Sequence, residues 1–156
     1  MEDNKILIRK ISLASISCVH PEVADIAVSF SELFMDAVPE TLSSEAVEKI
    51  LVLHPIHVTQ DEAGYLLISG FRSYQLALAN FELTDKFSVL VHKLASSDWI
   101  LSLAQTDILA SRIVHSLGSK PSTQIERLIQ RVGPDVADRL VPGLCSNRSI
   151  SKFLKS

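Results

Sequence analysis

The stretch that most constrains this chain runs from His54 to Phe81, HPIHVTQDEAGYLLISGFRSYQLALANF. Pro55 to Thr59 and Tyr65 to Ser69 are short runs of apolar and β-branched residues, which is strand composition. Between them Gln60-Asp61-Glu62-Ala63-Gly64 is polar and ends in glycine, as a hairpin loop does. After Ser69 the pattern changes period. Gly70-Phe71-Arg72-Ser73 leads into Tyr74, Leu76, Ala77, Leu78 and Phe81, which fall at helical spacing. The sequence therefore predicts strand, turn, strand, and then a glycine corner that opens a helix over Ser73–Phe81.

Such a corner has a definite chemistry. The first N–H groups of a helix have no partners within the helix, and the positive end of its dipole lies beside them. An anionic oxygen is stabilised there, phosphate above all. Gly70 permits close backbone approach or a positive φ. Arg72 adds a forked, charged donor, and the Ser73 hydroxyl a further one. Gly70, Phe71, Arg72 and Ser73 are thus the candidate phosphate-binding residues. The plainer reading of the same residues is a turn glycine followed by a solvated arginine.

Elements around the corner extend the pattern. Lys5 to Leu13, KILIRKISL, reads as a strand with Ile6 and Ile8 on one face. Ala14 to Val28 is ambiguous, with Pro21 able to start a short helical turn. Phe30 to Met35 reads as a helical turn that stops near Pro39. Ser43 or Ser44 caps a helix whose apolar face is Ala46, Val47, Ile50, Leu51 and Leu53, and that helix ends by His54 because Pro55 follows. Phe87 to Lys93 is a strand with Phe87, Val89 and Val91 on one face. Ser96 or Ser97 caps a long helix, which Gly118 is placed to end. Pro121 and Ser122 open a helix over Gln124–Val132, Gly133-Pro134-Asp135 starts another to about Val141, and Ser146 begins a last turn.

This order of elements, together with Pro55-Ile56-His57-Val58, Gly64 to Gly70, Arg72 and Ala77, resembles the ParB/sulfiredoxin superfamily over roughly residues 5 to 117. The resemblance implies an α+β fold: a small mixed sheet with flanking helices over 1–118, and a helical extension over 119–156. In sulfiredoxins the corner resembles Gly-Cys-His-Arg and the cysteine carries the chemistry. Phe71 stands at that place here, which excludes that activity. In ParB proteins the corner resembles Gly-Glu-Arg-Arg and touches nucleotide phosphates. Gly70 and Arg72 fit that pattern, while Phe71 and Ser73 replace the acid and the last arginine. A second ParB box resembles Glu-Asn-x-x-Arg, and the nearest match is Thr106-Asp107-Ile108-Leu109-Ala110. Only Asp107 keeps a group that can ligate a metal.

The resemblance implies a nucleotide or nucleic-acid phosphate as ligand, with CTP or ATP and Mg²⁺ as the cofactors to expect. It implies a role in DNA partition or in plasmid or mobile-element regulation. Two alternatives stay open: a nucleotide triphosphatase or nuclease of the same fold with a degenerate metal site, and a non-catalytic interaction protein that retains the fold, working as a homodimer or on a partner protein.

Charge narrows the partners further. The net charge of −3 divides unevenly: up to Ser111 there are 7 Lys/Arg against 15 Asp/Glu, and from Arg112 onward 8 against 3. Nucleic acid would therefore meet the tail, through Arg127, Arg131, Arg139, Arg148 and Lys152. These lie on short helices that form either part of a helix-turn-helix or a cap that docks on the acidic body. Hydrophobic residues make up 47% of the 156, which is globular rather than disordered composition. No apolar run reaches the ~20 residues that span a bilayer, and the N-terminus lacks the layout of a signal peptide. A cytoplasmic location is the expectation. Cys18 and Cys145 are isolated, as structural thiols are. His54 and His57 look like a chelating pair, but three apart on an extended segment they face opposite ways. There is no Gly-x-Ser-x-Gly, Walker loop or His-Glu-x-x-His.

Overall fold

The computed structural model of the chain describes residues 5–28, 42–62, 64–114, 121–143 and 145. The helical turn read at Phe30–Met35, the stop at Gly118, the turn after Ser146, and Arg148 and Lys152 lie outside them.

Five strands form one mixed sheet: β1 (Lys5–Ser12), β2 (Ile16–Val19), β3 (Ile56–Gln60), β4 (Tyr65–Ser69) and β5 (Lys86–Lys93), in the order β1-β5-β3-β4-β2. Pairing of β1 with β5 and of β3 with β4 is antiparallel; β3 with β5 and β2 with β4 are parallel. The fold is thus α+β, a small mixed sheet with flanking helices.

One consequence follows from connectivity alone. β1 and β2 are the two edges of the sheet, yet only Leu13–Ser15, a single 3₁₀ turn, separates them. Laid flat, edges four strand spacings apart would lie about 19 Å from each other. The chain from Ser12 to Ile16 reaches about 14 Å at full extension. The sheet must therefore curl toward a barrel, with β1 and β2 as two halves of one strand that changes edges. A contact across the curl agrees: Arg9 Nη1 lies 3.5 Å from the Tyr65 hydroxyl, joining β1 to β4. Gly64, just before β4, lets the hairpin pack closely on β2, because a Cβ there would sit 2.8 Å from Ser17 Oγ.

The helices follow from their ends. α1 (Ser44–Leu53) starts at Ser43, whose hydroxyl accepts the Ala46 N–H, and stops at His54 before Pro55. α2 (Phe71–Asn80) begins directly after Gly70, two residues earlier than its apolar spacing indicates. α3 (Ser97–Val114) has the Ser96 hydroxyl accepting the Trp99 N–H. Two further helices, α4 (Pro121–Val132) and α5 (Pro134–Leu140), each open on proline. α1 and α2 pack together, and α3 lies on β4 and on the 3₁₀ turn Pro21–Val23. The core comprises Val23, Val47, Ile56, Val58, Leu67, Ile68, Ala77, Val89, Val91 and Ala104, all but sealed from solvent.

Register divides the sheet into two faces. Ile56, Val58, Val89 and Val91 share one, and His57, Leu90, Thr59 and His92 the other. On β1 it is Ile11 that is buried, with Leu7 packed against the core, while Ile6 and Ile8 point outward, 48% and 75% exposed.

Candidate functional site

The corner is built by close backbone approach. Gly70 adopts φ 76°, ψ 32°, in the left-handed region. A Cβ there would lie 2.6 Å from the Pro55 carbonyl oxygen and 3.0 Å from Ile56 Cα. Glycine is therefore required twice, by conformation and by space. The β4–α2 turn rests directly on the start of β3, which is why the two motifs separated by the hairpin act as one unit. A second tie fixes the same junction: the buried Ser73 hydroxyl donates to the His54 carbonyl at 2.6 Å.

An anionic oxygen already sits at this helix start. Asp107 Oδ2, from α3, accepts the Gly70 N–H at 2.8 Å and the Ser69 hydroxyl at 3.0 Å. A carboxylate beside the first turn of a helix is stabilised by the dipole and by charge-assisted hydrogen bonds. The arrangement joins the two sequence boxes, Gly70–Ser73 and Thr106–Ala110, that were read separately. It also gives Asp107 a role that needs no metal.

The remaining site residues divide by environment. Arg72 is half-buried, its Nη1 3.4 Å from Gln75 Oε1, and burial lowers its pKa from the ordinary arginine value while leaving it a cation at neutral pH. The Phe71 ring belongs to the core, so only its backbone faces the helix start. With its hydroxyl turned onto His54, Ser73 braces the corner. Thr106, which stands where the ParB box carries glutamate, is exposed and bonds the Ser102 carbonyl within its own helix. Among the described residues no group of three or more His, Cys, Asp or Glu is placed to hold a metal. Asp107 alone is a poor resident Mg²⁺ site, since magnesium demands several oxygens in octahedral array.

Sequence reasoning missed a pair of histidines beneath the corner. His57 Nδ1 and His92 Nε2 lie 3.0 Å apart, their rings stacked at 5.2 Å, and His92 also packs on Trp99 with ring centroids 4.7 Å apart. One of the facing nitrogens donates and the other accepts, and burial disfavours a charge on either ring. His92 is pushed down to about 4 by burial and by His57. His57 is lowered by burial, against the opposing pull of the Asp107 carboxylate. That pull links the pair to the corner. The His57 ring partners β5, while the His54 backbone carbonyl serves Ser73.

Of the tail cations, Arg127 and Arg131 are exposed on α4. Arg139 Nε, on α5, sits 3.2 Å from Glu45 Oε2 at the start of α1, alongside the Lys49–Glu45 pair. The extension thus touches the acidic body through at least one of its arginines. No helix among the described residues is long and apolar enough to cross a membrane.

The class so defined is a small α+β domain with a curled mixed sheet and an anion-stabilising β-to-α corner. Neither a protein-family model nor a curated protein sequence matches the chain.

Proposed function

We propose that the chain is a ParB-like binding module that holds a phosphate, of a nucleotide or a nucleic acid, at the Gly70–Ser73 corner. The observation that carries this reading is the Asp107 carboxylate on the Gly70 N–H: the helix start stabilises an anionic oxygen, and Arg72 stands one residue into the helix to share a second. An incoming phosphate takes over the position of Asp107 or lies beside it with the Arg72 guanidinium as counter-charge. CTP or ATP with Mg²⁺ is the ligand to test first, the metal arriving with the nucleotide rather than residing on the protein. The experiment is thermal stabilisation by CTP, ATP and GTP, with and without Mg²⁺, for wild type and Arg72→Ala. A rise in melting temperature that the substitution abolishes supports the reading. No shift with any nucleotide overturns it.

A second reading, a fold-retaining interaction protein, is favoured by the same hydrogen bonds seen from the other side. Gly70, Ser69 and Ser73 all have internal acceptors, and a chain that completes its own corner needs no ligand there. A third outcome, Mg²⁺-dependent phosphate release lost in Asp107→Ala, would make the module a nucleotide triphosphatase or nuclease.

A further inference from the structure

A cavity of about 740 Å³ opens at the Thr59–Gln60 end of β3, whereas the Gly70 corner rests on that strand's start. Register builds one wall: His92, Thr59 and Leu66 stand in a row across β5, β3 and β4. Ile100, from the first turn of α3, lines the same space and is buried.

Charge is divided around this cavity. Lys5 and Lys93 face each other in register across β1 and β5, a like-charge pair that costs stability. Asp61 and Glu62 belong to the β3–β4 hairpin loop, on the other side in strand order. Among the described residues no ion pair joins either lysine to either carboxylate. Asp61 is held by its own turn, accepting the Gly64 N–H at 2.9 Å, which leaves Glu62 to meet a ligand. One residue past Lys93, Leu94 has φ 62°, a left-handed conformation that strains a leucine. Leu94 lines the cavity yet is 70% exposed, so burial of its own side chain does not offset the strain. An apolar guest would supply the missing contact.

From this space we infer a binding site for a small zwitterion with an apolar body, a short apolar peptide with both ends free. Its carboxylate lies between Lys5 and Lys93 and its ammonium meets Glu62, while its side chains rest on Leu66, Leu94 and Ile100. The volume is in the range of small-molecule sites and ample for two or three residues. The site draws nothing from the phosphate reading of the corner, and the two are separately measurable.

The test titrates the isotope-labelled full-length chain with leucyl-leucine. N-acetyl-leucyl-leucine, which lacks the ammonium, and leucyl-leucinamide, which lacks the carboxylate, are the comparisons. The expected result is saturable amide shifts at Thr59, Leu66 and Lys93 with the free dipeptide, and binding of each blocked form weaker by roughly tenfold or more. Glu62→Gln with Lys93→Gln, both at exposed positions, should weaken binding of the free dipeptide to a similar degree with an unchanged melt. No shifts at millimolar dipeptide, or shifts centred on Ser69 to Ser73 instead, would overturn the inference. Equal binding of either blocked form, or retained affinity in the double variant, would do the same.

Discussion

Replacing Asp107 by alanine separates two effects of one carboxylate. The substitution deletes the acceptor of the Gly70 N–H at 2.8 Å and of the Ser69 hydroxyl at 3.0 Å. Hydrogen bonds to a charged group contribute about 1.5–3 kcal/mol each, and a negative charge at a helix start about 0.3–1 kcal/mol. Asp107 is only partly buried, so water recovers part of the loss. A net destabilisation of about 2–4 kcal/mol follows, or a fall in Tm of roughly 5–15 °C for a chain of this size. The second effect runs the other way. Without its resident carboxylate, the corner should take an anion from solution, so phosphate or CTP should restabilise Asp107→Ala more than wild type. Saturation to a hundredfold excess over Kd would return about 2.7 kcal/mol. Calorimetric melts in chloride and in phosphate at equal ionic strength make the comparison. A variant as stable as wild type would refute the energetic argument. A destabilised variant that no anion rescues would show a corner fitted to its own carboxylate alone.

Three further outcomes follow. Gly70→Ala should cost about 2–4 kcal/mol, because left-handed backbone strain adds to the clash with the Pro55 carbonyl; a urea melt displaced by less than about 1 kcal/mol would contradict the packing. Stability should fall with pH between about 6.5 and about 4, where the unfolded chain binds a proton that His92, held at about 4, does not. The full contribution is present above the upper limit, the loss by the lower one reaches up to about 3 kcal/mol, and His92→Gln should flatten the slope in pH-dependent denaturation. For the tail, the nucleic-acid branch of the proposal predicts salt-sensitive DNA binding whose slope Arg127→Ala with Arg131→Ala lowers by roughly two phosphate contacts; no binding, or an unchanged slope, would count against a nucleic-acid role for α4.

What the sequence made legible is local. The β3–β4 hairpin, α2, β5 and the caps of α1 and α3 each announce themselves through composition, period and a single polar or glycine residue at the right place. β2 does not: Ile16–Val19 is four residues long, two of them polar or small, and buries only Ile16. Its strand state comes from β4 alongside it, not from its own pattern. Nor could local reading show that β1 and β2 close the sheet, since that depends on which edges they join. The β4–α2 corner was visible through Gly70 and Arg72, but the acceptor of its Gly70 N–H lies 37 residues away on α3. The Thr106–Ala110 resemblance pointed to Asp107 for metal, and the structure turns it onto a backbone amide. His57 and His92, 35 residues apart, meet through the parallel register of β3 and β5. A histidine on each of two apolar strands was the available signal.

The most direct measurement is an NMR titration of the full-length protein with CTP and Mg²⁺, read at the backbone amides of Ser69 to Ser73. The account predicts saturable shifts centred on Gly70 and Arg72, lost in Arg72→Ala. Amides at the corner that stay unmoved while the nucleotide is at millimolar excess would contradict it.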